Sequence, residues 1–322
     1  MKDNYQIPIL NNLRGIAALS VCLFHFICTT IDYISNKNIL SFFQYGHYGV
    51  ELFFIISGIV IPLSLLKSNY SLKKFHVFFL KRVIRIEPPY IAALIFSVLI
   101  IILKGNIYTI NITQILLHIG YLIPFFINKY SWLNQVFWTL AIEFQYYIII
   151  SVLILLVITP NLFKRILFYL ILSLLPFLLP NRAFFPYYSP IFLLGISWCL
   201  LFLNKIKSLE FIIIFTASLT ITYFKIAHFD AYLGLTTILL IHFFKNYSNK
   251  LLLFFGNISY TFYLIHPLIG ASCINLLSHK YRLVWQKPIV IIVGFIITTI
   301  SSYIIYKLVE KPTHQLSKKI KY

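Results

Sequence analysis

Long apolar segments, repeated along nearly the whole chain, constrain its fold more than any other feature of the sequence. A helix needs about 20 apolar residues to cross the hydrocarbon core of a bilayer, and runs of about 17 to 25 such residues occur about ten times. Only 11% of the residues are charged and 60% are hydrophobic, whereas soluble domains carry about 25% charged residues. The sequence therefore predicts an all-α, polytopic membrane protein with about ten transmembrane helices.

The predicted spans follow the apolar runs from the first to the last. A shorter run, 112–127, contains Pro124 and is flanked by Asn111 and Asn128, so we interpret it as a re-entrant or interfacial segment. The predicted spans are 10–33, 46–66, 88–104, 134–158, 163–180, 187–204, 208–226, 230–245, 251–276 and 287–308.

Positive charge is concentrated between the apolar runs. The 27 Lys and Arg against 8 Asp and Glu give a formal charge of +19. With the N-terminus inside, 18 of these cations fall in inner segments and 8 in outer ones, which predicts that both termini are cytoplasmic. A nucleic-acid-binding protein would gather such charge on a polar domain. This sequence has no such domain, so we expect membrane lipid and no nucleic acid among its partners.

Cysteine and histidine patterns give no indication of a metal site. Cys22, Cys28, Cys199 and Cys273 all fall in apolar segments, with no C-x-x-C pair and no zinc spacing. An H-E-x-x-H sequence is also absent. We interpret the cysteines as small buried hydrophobic residues and expect no metal.

The first apolar run contains Arg14 and His25. Their separation of eleven residues brings them close to one helix face, about 16 Å apart along the axis. Such groups cost on the order of 3 kcal/mol at a helix centre and commonly face a protein-lined cavity. This spacing predicts one cation near the membrane surface and one imidazole near the midplane. The structural alternative is that Arg14 snorkels to the headgroups and His25 only bonds a neighbouring helix.

Two carboxylates lie within later apolar runs. Glu51 lies in the outer half of the second span, two turns before Ser57, and Glu143 lies about nine residues into the fourth. Glu143 is expected at nearly the depth of His25, where a carboxylate could orient the imidazole and raise its basicity. A buried ion pair or a protonated acid is the alternative for Glu143.

The inner loop before the third span carries Arg82 and Arg85. Three residues apart on a helix, they share a face and could grip one anionic group. Glu87 follows, and Pro88 and Pro89 are expected to end that helix. A basic loop that only sets topology is the alternative.

The C-terminal part of the chain contributes two further polar clusters. Tyr263 and His266 fall on one broad helical face with Tyr260 beside it. Glu310 follows the last span among lysines, where we expect a solvated salt bridge. The spans from 163 to 245 are interpreted as scaffold and as the wall of an acceptor groove, with Asp230 at a helix end.

Taken in order, these segments resemble the motifs of the integral-membrane acyltransferase 3 family. Six segments from Leu13 to Pro312 carry the resemblance. They are LRGIAALSVCLFHF (R-x10-H), GVELFFIISG (F-F-x-x-S-G), RVIRIEPPY (R-x-x-R-I-x-P), WTLAIEFQYY (W-S-L-x-x-E), NISYTFYLIH (I-S-Y-x-x-Y-L-x-H) and VEKP (E-x-P).

The resemblance implies an enzyme that moves an acyl group, most often acetyl, from acyl-CoA to a hydroxyl of a sugar or membrane-associated glycan. It implies His25 as the essential catalytic histidine and Glu143 as its acidic partner. The expected depths of these groups fit general base catalysis by His25, steadied by Glu143 or Glu51, with an acyl-histidine relay as an alternative. Donor contacts pass to Arg14, Ser57, Arg82 and Arg85, and acceptor contacts to Tyr260, Tyr263 and His266. Glu87 stands where the family usually has an uncharged residue.

The resemblance also implies a bacterial inner-membrane protein in which residues 1–322 form one acyltransferase 3 domain, without an additional soluble domain. A homo-oligomer is compatible with the sequence. A secondary transporter or flippase for a glycan precursor or small anion is the alternative function, because it too would carry charges inside the membrane. That alternative predicts broken spans in two corresponding halves, and the sequence contains no internal repeat.

Overall fold

The computed structural model describes residues 7–30, 33–105 and 110–320. These residues contain helices and turns but no strand, which confirms the all-α prediction. The α-helices are α1 (Pro8–Cys28), α2 (Lys37–Gln44), α3 (Gly49–Lys67), α4 (Phe75–Leu103), α5 (Ile112–Ile119), α6 (Phe137–Leu153), α7 (Leu155–Ile158), α8 (Leu162–Leu178), α9 (Phe185–Phe202), α10 (Ser208–Ile221), α11 (His228–Phe244), α12 (Lys250–Ile265), α13 (Ser272–Ser278), α14 (Gln286–Ile305) and α15 (Lys311–Lys319).

Seven helical segments of the described chain are long and apolar enough to cross a membrane. Two shorter apolar helices, α6 and α11, accompany them. The class of polytopic membrane protein is thereby confirmed, and the figure of about ten spans stays a prediction. The seven segments are Pro8–Cys28, Lys37–Lys67, Leu72–Leu103, Phe185–Phe202, Ser208–Ile226, Lys250–Ser278 and Gln286–Lys319.

The first predicted span was too long at its outer end. Helix α1 ends at Cys28 and not at residue 33, and Thr29 and Thr30 donate their hydroxyls to the last carbonyl groups, at His25 and Phe26. His25 therefore lies in the last turn of α1 and not near the middle of a longer helix.

Pro88 and Pro89 lie inside α4, so the prediction that they end a helix was wrong. A proline removes one backbone donor and crowds the preceding turn. Within a membrane bundle, neighbouring helices can compensate for that loss. The carbonyl groups that lose their helical donor are those of Ile84 and Arg85, four residues before each proline. The Tyr260 hydroxyl of α12 donates to the adjacent carbonyl, that of Ile86, at 3.0 Å.

Helices α1 and α12 pack at very short range because glycines face each other. A Cβ atom on Gly256 would collide with the carbonyl oxygen of Asn11, and one on Gly15 would collide with the carbonyl oxygen of Leu252. The Asn11 amide also donates to Asn257 Oδ1 at 2.7 Å. This contact fixes α1, which carries Arg14 and His25, against the helix that leads to His266.

The short segment between α4 and α6 is held by polar contacts of one histidine. Helix α5 has only eight residues, about 12 Å, which fits the re-entrant or interfacial interpretation. The His118 ring contacts the Gln114 carbonyl at 2.8 Å and accepts the Leu133 backbone N–H at 3.1 Å. Because His118 Nε2 accepts a backbone N–H, the ring is neutral, and it holds the segment that precedes α6.

Candidate active site

A cavity lined by three arginines, here called the arginine cavity, lies between α1, α3, α4, α6 and α12. Its empty space, including the solvent open to its mouth, amounts to about 900 Å³. Its polar and charged lining comprises Arg14, Ser57, Arg82, Arg85, Thr139, Glu143, Tyr147, Ser259, Tyr260, Tyr263 and Glu310. The three guanidinium groups face two carboxyl groups, so the cavity has more cationic than acidic side chains.

Glu143 is held within the arginine cavity by two hydroxyl groups. Ser57 donates to Glu143 Oε1 at 2.7 Å, and Tyr147 donates to the same oxygen at 2.5 Å. Arg82 lies over the Tyr147 ring, with its guanidinium carbon 5.7 Å from the ring centroid. Glu143 therefore joins the network of the arginines, and it is not among the hydrogen-bond partners of His25 in the described chain.

Glu310 lines the arginine cavity. The prediction that it forms a solvated salt bridge at the surface was therefore wrong. Glu310 lies at the end of a π-helical segment, Tyr306–Glu310, and accepts hydrogen bonds from the Thr261 hydroxyl and from the Thr261 backbone N–H, the latter at 3.2 Å. The π segment turns the carboxylate toward α12, which helical periodicity alone does not predict.

A second cavity, here called the histidine cavity, contains His25. Its empty space, including the solvent open to its mouth, amounts to about 970 Å³. It combines two imidazoles, two carboxyl groups, one guanidinium group and several aromatic rings. Its polar and aromatic lining comprises Phe24, His25, His47, Tyr48, Glu51, Gln135, Trp138, Arg182, Tyr187, Tyr188, Asp230 and Tyr263.

His25 is hydrogen-bonded to His266 across the contact between α1 and the end of α12. His25 Nδ1 lies 2.8 Å from His266 Nε2 and 3.0 Å from the Val21 carbonyl oxygen. His266 Nδ1 lies 3.2 Å from the Phe262 carbonyl oxygen. His266 has no exposed surface and does not line either cavity in the described chain.

These contacts assign the tautomers of both neutral rings. Carbonyl oxygens only accept hydrogen bonds, so His266 Nδ1 carries its proton and His266 Nε2 keeps its lone pair. His25 Nδ1 then faces two acceptors and must carry the proton. The basic lone pair of His25 is therefore on Nε2, on a ring that lines the histidine cavity.

The two cavities adjoin each other. Val50 and Tyr263 line both of them. The Tyr263 hydroxyl pairs with Thr139 Oγ1 at 2.8 Å, and its ring centroid lies 5.9 Å from that of His266. The side chains of Val50 and Tyr263 therefore lie between a ligand in the arginine cavity and the histidine cavity.

Two residues that line the histidine cavity were not among the site residues predicted from the sequence. Asp230 and Arg182 line the histidine cavity, although the sequence indicated only a helix end and an outer loop for them. Glu87, which stands where the family usually has an uncharged residue, is not among the described residues that line the arginine cavity. No group of three or more His, Cys, Asp or Glu residues that could hold a metal occurs in the described ranges.

A helical membrane bundle that encloses two polar cavities is typical of a membrane enzyme or transporter. A family model described as an acyltransferase domain, acyltransferase 3, matches residues 7–307. The chain therefore belongs to the acyltransferase 3 family and is a membrane acyltransferase. Searches of curated proteins and of solved structures found no match.

Proposed function

We propose that this acyltransferase moves an acyl group, most often acetyl, from acyl-CoA to a hydroxyl of a sugar or membrane-associated glycan, such as a unit of lipopolysaccharide, capsule or exopolysaccharide. One observation carries the proposal. Arg14 and His25 lie on the same helix, but Arg14 lines the arginine cavity and His25 lines the histidine cavity. Donor and acceptor would thus occupy different cavities that share Val50 and Tyr263.

The arginine cavity suits the phosphate groups of acyl-CoA. Guanidinium groups bind phosphate oxygens through paired, charge-assisted hydrogen bonds. The buried Nε donor of Arg14 has no hydrogen-bond partner among the described residues, so it is available to an incoming anion. Arg82 and Arg85 would hold the phosphates with it, while Glu143 is already engaged by Ser57 and Tyr147.

The histidine cavity suits the acceptor hydroxyl. His25 Nε2 would remove the hydroxyl proton as the acceptor oxygen attacks the thioester carbonyl carbon. The carbon–sulfur bond then breaks, and the CoA thiolate takes the proton back from the His25 imidazolium. His266 would keep the His25 ring in the required tautomer throughout.

The proposed orientation follows from the distribution of Lys and Arg. With both termini in the cytoplasm, α1 runs outward, and Arg14 is nearer the cytoplasm than His25. Acyl-CoA would therefore enter from the cytoplasm, and the histidine cavity would receive the acceptor from the outer side of a bacterial inner membrane.

The test is acyl transfer from radiolabelled acetyl-CoA to extracted cell-envelope glycans by the purified protein in proteoliposomes. We expect His25→Gln to lower kcat at least about a hundredfold, because general base catalysis contributes about 10²–10⁴-fold, and to leave acetyl-CoA affinity intact. Arg14→Gln should instead raise the KM for acetyl-CoA about tenfold, because a hydrogen bond to a charged group is lost.

Lys207→Gln is the matched control, because Lys207 is exposed and lines neither cavity of the described chain. It should behave like the unmodified protein. A well-folded His25→Gln variant with near-normal transfer would overturn His25 as the base. Failure of every acyl-CoA to support transfer would overturn the donor.

A further inference from the structure

Two carboxyl groups in the histidine cavity have no role in the proton transfer just described. Glu51 lies in the first turn of α3 and Asp230 in the first turn of α11. Their exposed fractions are 8% and 4%, and Glu51 Oε2 and Asp230 Oδ1 have no hydrogen-bond partner among the described residues. A buried carboxyl oxygen without a donor is costly, so both oxygens are suited to a ligand that brings donors.

Aromatic side chains form a large part of the remaining cavity lining. Tyr48, Trp138, Tyr187 and Tyr188 all contribute to it. The Tyr48 ring is itself supported by Phe229, with 4.2 Å between the ring centroids. Aromatic faces pack against apolar faces, while a few well-placed polar groups fix a ligand's orientation. A sugar ring offers both, because its C–H faces are apolar and its hydroxyl groups donate hydrogen bonds.

Arg182 argues against a cation as the ligand. Its guanidinium lines the same cavity, donates from Nε to the Tyr187 hydroxyl at 3.2 Å and lies over the Tyr187 ring at 5.4 Å. A cation bound to the carboxyl pair would also face this positive charge. A neutral polyhydroxylated ligand avoids that repulsion and can accept hydrogen bonds from Arg182 through its own oxygen atoms.

We propose that Glu51 and Asp230 form a carbohydrate-binding site in the histidine cavity, accepting hydrogen bonds from two hydroxyl groups of one sugar ring. Asp230 is thereby a specificity-determining residue for the acceptor. A further hydroxyl of the bound sugar would face His25 Nε2, a step that rests on the proposed function. The binding itself requires no acyl-CoA.

Tryptophan fluorescence tests the binding directly, because Trp138 lines the cavity. The full chain is placed in lipid nanodiscs, which carry no sugar detergent, and titrated without acyl-CoA with a panel of methyl hexopyranosides. We expect at least one glycoside to give a saturable change that Trp138→Phe removes. Cyclohexanol, a ring with one hydroxyl, should give none. Asp230→Asn and Glu51→Gln should each weaken glycoside binding at least about tenfold.

Glu210→Gln is the matched control. Glu210 is also a first-turn carboxylate of a membrane helix, but it pairs with Arg165 at 2.9 Å and lines neither cavity of the described chain. The affinity of the Glu210→Gln variant for the glycoside should equal that of the unmodified protein. Thermal unfolding of each variant in the same nanodiscs identifies any loss of signal caused by unfolding.

Three results would overturn the inference. They are the absence of a saturable signal with every glycoside, unchanged affinity in both folded carboxyl variants, and saturation by calcium or tetramethylammonium in place of glycoside. The two proposals fail separately. Glycoside binding without acyl transfer would overturn the proposed function alone, whereas acyl transfer that is insensitive to Asp230→Asn and Glu51→Gln would overturn the carbohydrate site alone.

Discussion

At the scale of single residues, the contact between His25 and His266 decides which nitrogen of the neutral His25 ring keeps its lone pair. The acceptor lone pair of His266 Nε2 and the Val21 carbonyl both hold the proton on His25 Nδ1. His266 is therefore a positioning residue, in the role that a carboxylate has in other histidine-centred sites. His266 is a neutral hydrogen-bond acceptor, whereas the carboxylate of those sites is charged, and a neutral group costs less free energy to bury.

We expect His266→Ala to lower kcat about a hundredfold or more, because the His25 ring loses the partner that fixes its tautomer and orientation. His266→Gln should restore a substantial part of that loss, since its amide oxygen can accept the same proton. The measurement is steady-state transfer, with KM for acyl-CoA followed in parallel. If His266→Ala and His266→Gln lowered kcat equally, hydrogen-bond acceptance by His266 would not be its role.

The sequence singled out candidate site residues but not their hydrogen-bond pairings. Periodicity brings Arg14 and His25 to one face of α1, and motif order links them with Arg82, Arg85 and Glu143. Which donor meets which acceptor depends on contacts between distant parts of the chain. Glu143 and Ser57 are 86 residues apart, and His25 and His266 are 241 apart, so no local pattern contains this information.

At the scale of helices, the sequence predicted the apolar elements well and their ends less well. The length of an apolar run predicts where a membrane helix lies, but the residue at which the helix ends depends on capping groups and on contacts with neighbouring helices. At the end of α1, the hydroxyl groups of Thr29 and Thr30 bond the last carbonyl groups. Within α4, the chain stays helical through Pro88 and Pro89, beside a hydrogen bond from Tyr260 of α12. The carboxylates at first turns, Glu51 and Asp230, acquire their roles only when α3 and α11 meet around a cavity.

The close packing of α1 against α12 at their glycines can be tested by substitution of one glycine. Gly256→Ala puts a methyl group against the backbone oxygen of Asn11, which cannot move without shifting α1. Overpacking of this kind costs about 1–3 kcal/mol, so we expect a clear fall in Tm and in acyl transfer. Gly234→Ala is the control, because its methyl group meets the flexible side chain of Leu194. Equal Tm values for the two variants would contradict the close helix contact.

At the scale of the whole molecule, the charge distribution predicts the orientation in the membrane. Lys74 belongs to the loop between α3 and α4, and Lys129 precedes α6 on the predicted opposite side. In a variant with the four cysteines replaced by Ser or Ala, Lys74→Cys should be labelled only from the cytoplasmic side. Lys129→Cys should be labelled from outside by an impermeant maleimide. Reversed labelling would invert the orientation and with it the side from which the donor enters.

The arrangement of the two cavities predicts that donor and acceptor arrive from opposite sides of the membrane. The arginine cavity and the histidine cavity share only Val50 and Tyr263 among the described lining residues. A donor whose phosphates stay among the arginines can extend its thioester past this layer. A soluble cytoplasmic sugar would have to pass the same layer in competition with the donor, whereas a lipid-linked or exported glycan could enter the histidine cavity from the outer side.

Sealed proteoliposomes of known protein orientation separate these routes. With acetyl-CoA on the side of Arg14, we expect transfer to a glycan supplied on the side of His25 and little transfer to a nucleotide sugar supplied together with the acetyl-CoA. Vesicles permeabilised by a pore-forming peptide control for leakage, because transfer there no longer depends on the side of addition. Efficient transfer to the co-supplied nucleotide sugar, with none across the membrane, would contradict opposite entry. It would leave the proposal that His25 is the base in place, because that proposal does not depend on the route of the acceptor.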